Sequence, residues 1–436
     1  MKFKKSIQYI IQFLLGEGIP APIADLIGYT SDRSQFHKYK IVILPSGFFD
    51  EKIYGTKESI PSLPLRLIEN VPLLYGNPII EKINDTLLVH ADIIAGAYFL
   101  ISRYEEILKR NIRDEHGRFP GKESLPFKAG FIDRPVVDEY GQLLRKWFAQ
   151  MGITISLPDP QIRQINLTHD VDAPFFMRSW RNIIRSIKEG RNIKTSLQTK
   201  FGPLENDPFY TFPWFLKENQ KVIDRWGTSC QSFFFFRTGG RERYDRPRYN
   251  IHGRDIQKLF NLIKSYSGIC GLHSSYEAGK NPQLIPEEKK RLEKALNKKI
   301  TTNRHHFLAL REPENMAVLE EAGITDDYTM GYADIAGFRL GTSRPVYWID
   351  AQNIRLSSLK LHPLTIMEGS LSEKRYMALT EDEATNYSIK LIKQVASHHG
   401  ELTLLWHNTS FSINNGYLKS LYQVLIHELC LMAPDK

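Results

Sequence analysis

The sequence predicts an α/β protein: a barrel-type domain of parallel strands and crossover helices, preceded by a smaller α/β domain. Three observations carry this. The chain has 436 residues, beyond the size at which a single hydrophobic core keeps growing, so two domains are expected. After the stretch Leu157-Pro-Asp-Pro160, short apolar runs alternate with charged, amphipathic ones, the pattern of a parallel sheet with crossover helices. The polar residues of interest fall where the apolar runs end, at the strand ends that carry the active sites of α/β barrels. Two prolines in that stretch disfavour helix on either side and remove backbone donors. They set the boundary, giving domains 1–157 and 158–436.

The elements follow in order. Met1-Lys-Phe-Lys-Lys-Ser and the apolar run 7–15 imitate a secretory leader. The run is short, contains Gln8 and Gln12 and lacks a small-residue cleavage site, so it reads as an amphipathic helix. Residues 41–44 read as a strand, 87–108 contain an apolar helix ending in Ser102-Arg-Tyr-Glu-Glu106, 113–119 are turn-rich, and 136–151 are helical. In the second domain strands are expected at 165–168, 232–236, 269–273, 307–310, 346–349 and 402–406. Helices are expected at 175–188, 255–266, 286–296, 314–322, 381–398 and 416–430. No internal repeat interrupts this order.

Bulk composition excludes several classes. With 42% hydrophobic and 25% charged residues the chain is that of an ordinary folded protein. A net charge of +9 suits an anionic partner, but the basic residues are spread without a block, so no nucleic acid is expected to bind. Cys230, Cys270 and Cys430 lie far apart with no Cys-x-x-Cys, which speaks against a disulfide framework and a thiolate zinc site. A reducing, cytoplasmic location follows. No apolar run approaches the roughly 20 residues that a transmembrane helix requires.

Four motifs carry chemistry. Thr168-His-Asp-Val-Asp172 closes an apolar strand, and its two carboxylates can divide between metal binding (Asp172) and proton abstraction (Asp170); equally, they could cap the next helix. Gly271-Leu-His-Ser-Ser-Tyr-Glu277 offers His273 as an imidazole ligand, with Ser274 and Tyr276 shaping a pocket, or as a hydrogen-bonded structural histidine. Arg304-His-His-Phe-Leu308 opens another strand, on which His305 and His306 would point to opposite faces. Leu404-Leu-Trp-His-Asn408 offers His407 as a general acid and Trp406 as a flat wall for a sugar ring, or a buried histidine bonded to backbone.

Taken in order, the four motifs resemble the polysaccharide deacetylases of carbohydrate esterase family 4, the NodB-homology group, over roughly residues 160–430. More narrowly, they resemble a bacterial branch with Leu-Thr-His-Asp-Val-Asp, Gly-Leu-His-x-Ser-Tyr, Arg-x-His-Phe-Leu, Gly-Phe-Arg and Leu-Trp-His-Asn. The resemblance implies a distorted (β/α)7 TIM-like barrel, with the first domain as an associated unit of unknown function. It also implies Asp170 as base, Asp172 and His273 as metal ligands, His407 as acid, and substrate contacts from Tyr276, Trp406 and Asn408. The family's second histidine ligand would stand at position 277, where this chain has Glu277. His306 is the preferred third ligand and Glu277 the runner-up. The arginine that orients the base corresponds to Arg339, or alternatively to Arg311.

The implied reaction is hydrolysis of an acetamido group, or less readily an acetyl ester, on a sugar of a polysaccharide or its precursor. A divalent metal assists, zinc by default and cobalt or nickel on the same ligands. The expected partner is the acetylated carbohydrate; protein partners are unassigned. Two rivals remain: an inactive barrel that only binds glycan or protein, and a glycosidase, whose two carboxyl groups would have to stand roughly 5–9.5 Å apart across a sugar.

Overall fold

The computed structural model of the chain describes residues 2–156, 158–411 and 416–434. Met1, and Leu157 where the expected linker begins, lie outside them. Backbone contacts divide the chain into two compact units: Met1–Ile162 with Met330–Pro363 and Lys393–Glu401, and Arg163–Thr329 with Leu364–Ile392 and Leu402–Lys436.

In the first unit the leader-like segment is a helix, Lys4–Leu15, that buries Ile7, Ile10, Ile11, Leu14 and Leu15. Spacings of three and four place these residues on one stripe, the mark of an amphipathic helix. Strands β1 (Ile27–Tyr29), β2 (Ile41–Ile43), β3 (Arg66–Ile68), β4 (Val71–Leu73), β5 (Gly76–Ile83) and β6 (Thr86–Ala91) follow. They form a sheet in the order β1-β2-β6-β5 and a separate β3-β4 pair. β1, β2 and β6 are parallel, and β5 runs antiparallel to β6. Ile41, Val42 and Ile43 are fully buried, as β-branched residues between two parallel neighbours should be. β5 stands at the sheet edge, with Ile79 and Ile83 exposed. Asp92 then caps the apolar helix Ile93–Ile101, accepting a bond from the Ala95 N–H.

The second unit begins with β7 (Gln164–Val171), β8 (Cys230–Phe236), β9 (Ile269–Ser274), β10 (Thr302–His305) and β11 (Asp326–Met330). An antiparallel pair, β12 (Val346–Asp350) and β13 (Arg355–Pro363), belongs to the first unit, and β14 (Ile366–Met367) and β15 (Glu401–Leu405) come after it. The second unit's strands lie in the order β11-β10-β9-β8-β7-β15-β14. β7 to β11 pair in parallel, as do β14 and β15. Helices Phe212–Trp226, Arg254–Ser265, Ile285–Leu296 and Glu314–Glu321 separate successive strands from β7 to β11. They are the crossover helices that parallel pairing demands.

Among the described residues the expected barrel does not close. The strand order is linear, and β11 and β14 do not pair with each other. Closure requires the two end strands to share hydrogen bonds, and β14, two residues long, pairs with β15. The unit is therefore a mixed α/β fold around a large, mainly parallel sheet. Its register matters most for function. Val171 pairs with Phe236, Phe236 with Leu272, and His273 with Arg304. Asp172, Arg237, His273 and Arg304 thus reach one level at the C-terminal edge of the sheet.

Candidate metal centre

Strand alternation puts Asp170 and Asp172 on the same side of the β7 end. His169 faces away: its Nδ1 lies 3.0 Å from the Trp406 carbonyl and its Nε2 3.0 Å from the Asn219 amide. Asp172 Oδ1 stands 3.2 Å from His273 Nε2 and 3.2 Å from His306 Nε2. One ligand atom from each of the three residues lies within 4.8 Å of the others. Donors that bond one ion at about 2 Å in a tetrahedron stand roughly 3.3 Å apart, so the spacing suits a shared ion.

Two further facts point the same way. Asp172 Oδ1 and His273 Nε2 are buried and lack a hydrogen-bond partner; each buried orphan costs about 1–3 kcal/mol unless something satisfies it. His273 Nδ1 meets the Arg304 carbonyl at 2.9 Å. A carbonyl can only accept, so the proton sits on Nδ1 and the Nε2 lone pair faces Asp172 and His306. Burial would raise the Asp172 carboxyl, but the neighbouring His306 and His273 hold it well below the usual carboxylate range.

His306 reaches the site because the expected strand at 307–310 gives way to a tight turn. β10 ends at His305, and His306–Leu308 is a 3-10 turn with Phe307 at φ 61° and Leu308 at φ 52°. Left-handed backbone costs a non-glycine residue about 1 kcal/mol or more. The turn frees His306 from strand alternation, while His305 stays buried, its Nδ1 3.1 Å from the Asn303 amide. His306 Nδ1 lies 3.3 Å from Asp245 Oδ1, and Arg237 Nη1 lies 3.2 Å from Nε2. Burial would lower the His306 pKa, but Asp172 and Asp245 outweigh it and raise it.

Asp170 is held by an arginine other than the one expected. Arg304, fully buried, donates from Nη1 to Asp170 Oδ1 at 3.0 Å and to Thr168 Oγ1 at 2.7 Å, and from Nε to the Tyr328 carbonyl at 3.0 Å. Asp170 Oδ2 lies 3.6 Å from His273 Nε2 and 3.9 Å from His407 Nε2. Arg339 is instead committed to Glu106, donating from Nε and Nη2 at 3.0 and 2.6 Å. Its Nη1 donates to the Gly331 carbonyl at 2.8 Å. Arg311, the alternative, is exposed.

His407 closes the other side. Its Nδ1 and its backbone N–H both meet Glu368 Oε1 at 2.7 Å, leaving Nε2 3.8 Å from Asp172 Oδ2. Burial alone would lower the His407 pKa, but Glu368, followed by Asp172 and Asp170, pushes it up to about 10. It therefore stands protonated at neutral pH, as a proton donor must.

Glu277, Trp406, Asn408 and Tyr276 stand outside the three-ligand group. Glu277 sits in the first turn of a short helix capped by Ser275, and its Oε2 accepts the Arg241 N–H at 2.6 Å; it is outside the three-ligand group. Trp406 is completely buried, with its indole N–H on the Leu418 carbonyl, so it offers no wall to a sugar. Asn408, equally buried, donates to the Ala173 and Phe209 carbonyls at 2.9 Å and ties loops together. Tyr276 is nearly buried, packed against the rings of Tyr244 and Phe307.

Sequence reasoning missed Asp245, Glu368 and Arg237. Asp245 backs His306 and accepts from the Tyr276 and Glu277 N–H groups. It lies in Arg-Glu-Arg-Tyr-Asp-Arg-Pro, a charged stretch with no periodicity to mark it. Glu368 follows the two-residue strand β14, too short to read as one. Arg237 lies just beyond the run Phe233-Phe-Phe-Phe236, and its place one residue past a buried strand was the available signal. Beside Arg237 opens a cavity of about 430 Å³, lined also by Arg241, Arg248, Tyr249, Glu277 and Arg291.

Comparison with known proteins adds the following. Residues 2–152 match the model of a family of unknown function, DUF7033. No curated protein matches the chain. Among solved structures, one provisionally assigned as a polysaccharide deacetylase, from Mycobacterium smegmatis, is similar at 13% identity and a TM-score of 0.40, covering 64% of this chain and 87% of that one.

Proposed function

We propose that this protein is a metal-dependent hydrolase that removes acetyl groups from a sugar residue, cleaving a linear, non-peptide amide in preference to an ester. One observation carries the reading: Asp172 Oδ1 and His273 Nε2 are buried without hydrogen-bond partners beside His306, and a carboxylate base and a protonated histidine flank them. Two imidazoles and one carboxylate suit zinc, with cobalt and nickel acceptable to the same donors. Asp172, His273 and His306 would hold a divalent ion, which would supply Lewis acidity toward an acyl oxygen and a water molecule.

The remaining steps belong to the chain's own residues. Arg304 donates to Asp170 Oδ1 and fixes the carboxyl group, leaving Oδ2 to take a proton from the attacking water. Glu368 fixes the Nδ1–H of His407, and Nε2 then delivers its proton to the departing nitrogen. An amine leaves only when protonated, so a histidine held cationic favours amide cleavage. The arginine-lined cavity beside Arg237 gives the rest of the saccharide a place to lie. Glu277, whose presence at position 277 made a binding-only barrel conceivable, engages the Arg241 backbone, and His306 supplies the third donor. Asp170 and Asp172 both face one histidine cluster, unlike the opposed pair of a glycosidase.

The test is metal content together with acetate release across a panel of acetylated sugars, polysaccharides and nucleotide-linked sugars. His273→Ala should lose the ion and all activity while keeping its circular dichroism. Asp170→Asn should keep the ion and lose roughly 10²-fold or more in turnover. Unchanged metal content in His273→Ala, or full activity in Asp170→Asn, would remove the basis of the assignment.

A further inference from the structure

Helices Trp180–Lys188 and Ile193–Phe201 are built inside out. Trp180 and Ile184 lie one turn apart on the first, and Ile193, Leu197 and Phe201 at four-residue intervals on the second, so each helix carries an apolar stripe. A helix of a globular fold turns such a stripe to the core. Here Trp180 is 56%, Ile184 53%, Ile193 57% and Phe201 71% exposed. The residues these helices bury are Ile183, Ser186, Ser196 and Thr199, mostly small and polar. The Trp180 and Phe201 rings lie 5.9 Å apart, and the Lys200 ammonium stands 4.5 Å over Trp180, which joins the stripes into one patch.

Within the helical pair itself the charge is almost all of one sign, with Asp255 of another helix beside Arg178 at 3.7 Å. Residues 178–202 include Arg178, Arg181, Arg185, Lys188, Arg191, Lys194 and Lys200, against Glu189 alone. Arg178 turns inward to the Gly202 carbonyl, and Glu189 is taken up by Arg185 at 2.8 Å. The other cations lie along the same helical pair as the exposed aromatic and aliphatic side chains, and Lys200 stands over the Trp180 ring.

We propose that this helical pair seats the protein on the surface of an anionic lipid bilayer. Tryptophan, phenylalanine and isoleucine enter the boundary between headgroups and acyl chains, and the lysines and arginines meet lipid phosphates. A second copy of the chain is a poor occupant, because two faces of the same positive charge repel. No described helix is long and apolar enough to cross a membrane, so the attachment is peripheral. The proposal is independent of the hydrolase reading.

The full chain is sedimented with vesicles of phosphatidylcholine alone and of phosphatidylcholine mixed with phosphatidylglycerol, at low and high salt. The expected result is binding to the anionic vesicles only, weakened by salt. A triple variant Trp180→Ser, Ile184→Ser, Phe201→Ser and a charge variant Lys188→Glu, Arg191→Glu, Lys194→Glu should each bind roughly tenfold or more weakly. All the replaced side chains are exposed except the half-buried Arg191, and circular dichroism with metal content checks that both variants fold. Absence of binding by the native chain, equal binding to neutral vesicles, or undiminished binding by the variants overturns the proposal. So does self-association, or capture of polyglutamate, that both variants abolish in a protein that ignores vesicles.

Discussion

Arg304 places a permanent positive charge at the floor of the site with no exposure to water, where hydrogen-bonded partners must offset the loss of hydration. Its Nε and Nη1 have three, Asp170, Thr168 and the Tyr328 carbonyl, while Nη2 is buried without one. Arg304→Met should therefore strand a buried carboxylate, lowering unfolding free energy by about 3–5 kcal/mol and activity by orders of magnitude. Arg304→Lys keeps the charge but cannot reach all three acceptors, and should fall between native and methionine variant in urea midpoint. Equal midpoints for Arg304→Met and the native chain would mean that the Arg304–Asp170 pair contributes nothing to stability. Aspartates and histidines at strand ends could be read from sequence because their spacing follows strand alternation. The arginine's role could not, because a buried mid-strand arginine is rare and solvent-side candidates looked more natural.

Strands β7, β8, β9 and β15 were legible because runs such as Phe233-Phe-Phe-Phe236 have one possible home, a sheet covered on both faces; of the crossover helices from β7 to β11 the last three were expected and Phe212–Trp226 was not. The turn at His306–Leu308 was not, since Phe307-Leu-Ala-Leu310 has the composition of a strand and its geometry comes from tertiary contacts. Helix Ile285–Leu296 shows a similar conflict: it buries Glu288, whose carboxylate accepts the Ser275 N–H at 2.9 Å and the Ser275 hydroxyl at 2.6 Å. Burial pushes this carboxyl up from 4.5 to about 7, against the opposing Ser275 bonds. The folded state thus holds a proton that the unfolded chain releases near pH 4.5. The stabilisation is complete below that value and is lost as pH rises through about 7. Glu288→Gln, which retains both bonds to Ser275, should match the native chain in acid and exceed it on the order of 2 kcal/mol above neutrality. Parallel urea titrations at pH 5 and pH 8 check this, and a constant difference at the two values would contradict it.

At the scale of the molecule, size and the alternation of strand-like and helix-like runs announced a large α/β chain, and the sheet of the second unit bears this out. The sequence did not announce that the sheet stays open, because closure depends on long-range pairing of its last strands, which leaves no local periodicity. Nor does a linear pass reveal that segments 330–363 and 393–401 join the first unit. The sheet edge at β5 concerns what happens between molecules. A row of unpaired amides and carbonyls invites a neighbouring chain to continue the sheet, the first step toward aggregation. Pro78 removes one of the donors, a register shift between Gly76 and Ile80 bends the strand, and Glu81 and Lys82 charge it. Replacing Pro78 and Lys82 by valine should leave the urea midpoint within about 1 kcal/mol of native. Light scattering of concentrated solutions should nevertheless rise steadily in the double variant and stay flat in the native chain. In that sense β5 is a guarded border whose sequence keeps separate copies of the protein from knitting together.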